Sequence, residues 1–179
     1  MNAGNGGAML VRFALPPEAE AIVASGKART FIVTIDENLD CDGTCTVSHQ
    51  LGDFEIHALR TEWDEGASPF AGYTGADSCR RLGTGNVLGT GWGTAGEPST
   101  NSRIAEGSDY TATAATTTLA AGATKLTFTV DVAKTKFPER TAGKLAFMVM
   151  GVGTALFYGA QRESTAHAPP SLKIQFCKP

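Results

Sequence analysis

Seven short stretches of this chain carry apolar residues at the spacing of a β-strand, and Gly, Pro, Asn or Asp bounds each one. They are AMLVRFAL (8–15), RTFIVTI (29–35), DFEIHAL (53–59), KLTFTVDV (125–132), KLAFMVMG (144–151), TALFYG (154–159) and SLKIQF (171–176). In KLTFTVDV the alternation is complete: Leu126, Phe128, Val130 and Val132 point one way, Thr127, Thr129 and Asp131 the other. One buried and one wet face is the habit of an antiparallel sheet. Helix signals are few. PPEAEAIVASGK (16–27) has Pro ahead of an acidic first turn and Gly26 after its last apolar residue, which predicts about two helical turns. VAKTKFPER (132–140) predicts a single turn broken at Pro138. Neither supplies a helical layer, so the pattern predicts an all-β fold. Its form is an antiparallel β-sandwich, jelly-roll-like, with one or two short helical turns.

Between the strand ending near Leu59 and the one beginning near Lys125 runs a Gly/Thr/Ser-rich region that includes RRLGTGNVLGTGWGTAGEPSTNSR. Loops of such length inside a compact domain are usually functional. No linker composition and no internal repeat divides the chain, so residues 1–179 are read as a single domain.

Composition shifts the picture toward the cell exterior. There are 21 Gly and only 18% charged residues, a balance associated with extracellular β proteins. Cys41 and Cys45 in LDCDGTC are close enough to staple a small loop, which leaves Cys79 and Cys177 to pair with each other. Bridges from Cys41 or Cys45 to a distant cysteine remain open alternatives. Cys79 and Cys177 lack the nearby Cys or His that a zinc site requires. Disulfides imply a secreted or cell-surface protein whose signal peptide lies outside this chain, because MNAGNGGAML has neither a basic nor an apolar leader segment. No apolar run approaches the ~20 residues of a membrane span. A net charge of −3 argues against nucleic acid as partner. The charge is uneven. Residues 1–124 hold 7 Lys/Arg against 15 Asp/Glu, a net of −8, and residues 125–179 hold 8 against 3, a net of +5.

A set of motifs in a fixed order carries a family resemblance. LRTEWDEG (59–66), GWGTAGE (91–97), LTFTVDV (126–132), GKLAFMVMG (143–151), TALFYGAQRES (154–164) and APPSLKIQF (168–176) resemble the extracellular DNRLRE-type domain, a β-sandwich related to carbohydrate-binding module family 96. The similarity spans roughly Ala8 to Phe176, and its most specific part is the Tyr, Arg-Glu-Ser, Pro-Pro and final-strand sequence at the end. Two departures stand out. A strand that family members carry before the LVRF segment is expected to be missing, which would leave a sheet edge open. The family's Trp-Asn-Asn-type turn is replaced by SPFAGYTGADSCRR (68–81). The resemblance implies a non-catalytic module that binds an acidic, alginate-like polysaccharide.

The candidate chemistry is weighed against that frame. In a strand, Glu62 and Asp64 stand about 7 Å apart on one face, near the separation of an inverting glycosidase pair. Their polar surroundings do not raise a carboxyl pKa, and the resemblance implies that Trp63 is a packing ring with the carboxylates capping backbone amides. Asn38 to Gly43 match the first half of a calcium loop, but His49 stands where the bidentate Glu belongs. Asp40 and Asp42 are therefore candidate calcium ligands at most, and no cofactor is expected. Arg80 and Arg81 follow Cys79 and suit carboxylates, while Tyr73 and Trp92 on either side in sequence suit sugar faces. These four are the predicted ligand-binding residues. His49, His57 and His167 have no nucleophile in a recognisable setting, so no catalytic activity is expected. The rival expectation is a structural or adhesive subunit that self-associates through its open sheet edge into an oligomer or filament.

Overall fold

The computed structural model defines residues 2–4, 8–37, 48–60, 63, 80–82, 90–91, 109–133, 143–159 and 167–177; along 2–4, 80–82 and 90–91 it defines the backbone. Two antiparallel sheets build the sandwich. The first has the order β11 (Ser171–Phe176), β3 (Ala28–Asp36), β8 (Lys125–Asp131). The second has the order β2 (Ala8–Ala14), β9 (Lys144–Gly151), β4 (Gly52–Ala58), β7 (Ala115–Leu119). All seven apolar stretches are strands within a residue or two of their expected ends, the seventh being β10 (Leu156–Tyr158). The all-β reading therefore holds. Its physical basis is visible in β8, where Leu126, Phe128 and Val130 are buried and Lys125, Thr127 and Thr129 are exposed.

The inward rows of both sheets meet in one core. Phe31, Val33 and Ile35 of β3 and the β8 row face Met9 and Val11, Phe54 and Ile56, Leu119, and Leu145, Phe147 and Val149 of the second sheet. Phe147 receives the edges of Phe13 and Phe31 at ring separations of 6.2 and 6.4 Å, within the range of favourable aromatic pairs. The fully buried rings of Phe31 and Phe147 each contribute roughly 1.5–3 kcal/mol through burial. The packing is close enough to dictate a glycine. A Cβ on Gly159 would stand 2.6 Å from Met9 Cε and 2.9 Å from Ile35 Cγ2.

The predicted helix is α1 (Pro17–Ala24). Its end is a Schellman turn. Gly26, at φ 69°, donates to Val23 O, and Lys27 N donates to Ile22 O. Glu20 ties the helix to the second sheet by accepting a hydrogen bond from Gly143 N at 2.8 Å, just before β9. Ile22 and Val23 pack on the core. The predicted turn across 132–140 lies largely outside the described residues.

Two features depart from expectation, and a third concerns how the chain is divided. A strand does precede the LVRF segment: β1 (Asn2–Gly4) pairs antiparallel with β10. The expected missing first strand is thus corrected, because a three-residue Asn-Ala-Gly strand has too little apolar content to register as one. Within the Gly/Thr-rich region, β7 has the sequence ATTTL, with Ala115 to Leu119 paired along β4. Threonine makes a strand there through its branched side chain, not through apolar alternation. Finally, the chain divides into two compact units, the sandwich (Met1–Ala58, Thr113–Pro179) and an insertion, Leu59–Ala112.

Candidate ligand-binding site

The insertion unit opens with the acidic motif. Leu59 forms an isolated bridge with Tyr110, and Arg60 N donates to Asp109 O at 2.7 Å. Leu59 and Trp63 are each 7% exposed, and Asp109 is fully buried. Trp63 is therefore a buried ring, in keeping with the packing role that the resemblance implies. Glu62 and Asp64 lie outside the described residues.

Further along the unit, β5 (Arg80–Leu82) pairs antiparallel with β6 (Thr90–Gly91). Arg80 is opposite Gly91 and Leu82 opposite Thr90, so Arg81 is the extra residue of a β-bulge. Bulges interrupt the strict alternation of strand faces and recur beside binding sites for that reason. Gly91 is the residue before Trp92 in sequence, so pairing brings the chain leading into Trp92 across from Arg80. Tyr73 and Trp92 lie outside the described residues, as do Asp40 and Asp42. The backbone thus joins two of the four predicted ligand-binding residues to the approach of a third.

Cys177 carries a free, exposed thiol, so the expected pairing of Cys177 with Cys79 is not made in this structure. Its sulfur accepts a hydrogen bond from Arg29 Nε at 3.3 Å. That bond raises the Arg29 pKa above its ordinary value. That pairing was expected because a Cys41–Cys45 staple would leave Cys79 and Cys177 to each other. Arg29, 148 residues away in the chain, has no signature in the cysteine spacing. Cys41, Cys45 and Cys79 lie outside the described residues.

The three histidines occupy different settings. His49 sits where the end of β3, the approach to β4, and β10 converge. Its Nδ1 accepts from Tyr158 N at 3.2 Å, which places the ring proton on Nε2, and Nε2 faces Glu37 Oε2 at 3.0 Å. The ring stacks on Phe157 at 4.6 Å and 16°. In this tautomer neither nitrogen offers a lone pair to a metal, since one accepts a backbone hydrogen and the other carries its own. His57 is buried on the face of β4 opposite Phe54 and Ile56, with Nε2 3.6 Å from Glu55 Oε2. His167 is half-buried before β11. Sequence reading placed no role on His49, because its partners come from three separate segments.

Compared with family models, curated proteins and solved structures, the chain shows no match.

Proposed function

We propose that this chain is a non-catalytic, extracellular carbohydrate-binding module for an acidic, alginate-like polysaccharide, bound on the β5–β6 ladder of the insertion unit. The observation that carries the reading is the pairing of Arg80 with Gly91, the neighbour of Trp92, together with the bulge at Arg81. Arginine presents a planar fork to a carboxylate, and an indole offers an apolar face to a sugar ring. A two-stranded ladder holds the backbone at both positions in one register, which lowers the ordering cost of binding. The motif resemblance to DNRLRE-type domains points to the same ligand class.

The test is titration calorimetry with oligomeric uronates and with a neutral glucan of equal length. Uronate binding is expected to weaken as salt rises. Arg80→Ala and Arg81→Ala are each expected to weaken it about tenfold or more, the scale of a charge-assisted hydrogen bond. Equal affinity for the neutral glucan, or uronate binding indifferent to both substitutions, would overturn the proposal.

A further inference from the structure

Two observations coincide on β11. It pairs with β3 along one side, and among the described residues no strand is paired to its other side. Ser171, Lys173, Gln175 and Phe176 are exposed, Leu172 and Ile174 are half-buried, and Phe176 is 48% exposed. The opposite edge of the same sheet differs, because β8 lies against β7 at the corner of the sandwich. An extended edge with free N–H and C=O groups and a partly covered apolar row is a template for a further strand.

We propose that β11 pairs antiparallel with β11 of a second copy, joining two three-stranded sheets into one of six strands about a two-fold axis at Ile174. Residues directly opposite in an antiparallel pair share a face, so a two-fold axis must pass through a residue and not between two. Axes at Lys173 or Ile174 engage the greatest length of β11. The Lys173 axis sets two ammonium groups against each other, a destabilising contact. The Ile174 axis sets Ile174 against itself and Leu172 against Phe176 on the core-side face, with Lys173 against Gln175 on the outer face. Apolar meets apolar, and the one charge on the strand meets an amide. This interface lies on β11 and does not involve β1, which pairs with β10.

Gln175 is exposed, so changing its charge leaves the core untouched. Symmetry makes each substitution count twice. Gln175→Glu faces Lys173 of the other copy in two places, and Gln175→Lys repels it in two places. Sedimentation equilibrium on the full chain, with reductant and without sugar, is expected to show a monomer–dimer equilibrium. The dimer Kd should be about tenfold lower for Gln175→Glu and about tenfold higher for Gln175→Lys. A chain that stays monomeric up to about 1 mM, or a Kd that does not move in opposite directions in the two variants, overturns the inference. Because sugar is absent, either result stands apart from the polysaccharide proposal.

Discussion

At the scale of the residue, the sandwich depends on side chains whose roles come from where strands cross. His49 is the clearest case. It satisfies the backbone N–H of Tyr158, faces Glu37, and lies flat on the buried ring of Phe157, which in turn meets Phe54 edge-on at 6.2 Å. Substitution by Phe preserves the stack while leaving the Tyr158 N–H without its acceptor. His49→Phe is therefore expected to lower stability by about 1–3 kcal/mol, read as a fall in the urea midpoint with an unchanged slope. An unaltered midpoint would show that the stack alone accounts for the residue. Gly52 illustrates the complementary constraint. At φ 149°, with Ala155 Cβ 2.9 Å from where its own Cβ would stand, it begins β4 in a conformation that side chains rarely adopt.

At the scale of the element, local sequence and long-range contact divide the work unevenly. β3, β4, β8 and β9 were legible from apolar spacing because each buries a complete inward row, and a two-residue period survives in any context that has one dry face. β7 and β1 were not, since threonine, asparagine and glycine carry no hydrophobic period. Their pairing partners, β4 and β10, make them strands. α1 is legible for a different reason, as Pro17 and Gly26 mark its ends locally. Its anchorage is not local. Glu20 reaches Gly143, 123 residues away, to fix the helix against the turn that leads into β9. Glu20→Ala is expected to cost about 1.5 kcal/mol, the worth of a hydrogen bond to a charged group. Amide exchange should accelerate in α1 while remaining slow in β3 and β8. Exchange that accelerates equally in all three elements would mean that the contact supports the whole sandwich.

At the scale of the whole molecule, the strand order separates the described lysines of the basic last third. The basic last third supplies β8, β9 and β11, but β3 lies between β11 and β8, and β9 lies between β2 and β4. Lys125 is set opposite Asp36, and Lys144 opposite Ala14. Among the described residues, Lys125 and Lys173 are thus separated by β3, and Lys144 belongs to the other sheet. If polyuronate is held on β5–β6, Lys125→Ala and Lys144→Ala should each change uronate affinity less than about twofold, as rim charges do, whereas the arginine substitutions act strongly. Calorimetry on the four variants checks this, and a loss on the lysine variants would move the ligand to the sandwich.

By itself, the sequence determined the fold class, seven of the eleven strands among the described residues, and the helix with its glycine stop. Each of these rests on local periodicity or a local backbone preference, and these act within a few residues. Only the tertiary structure decided that Leu59–Ala112 forms its own compact unit, that β1 precedes β2, and that Arg80 stands across from the residue before Trp92. It also decided that Cys177 bonds to Arg29 and that His49 closes a junction of three segments. Those outcomes depend on which segments neighbour one another, from the 11 residues between Arg80 and Gly91 to the 148 between Arg29 and Cys177. Pairing and register are set by the collective burial of both sheets, and no short stretch of the chain encodes them.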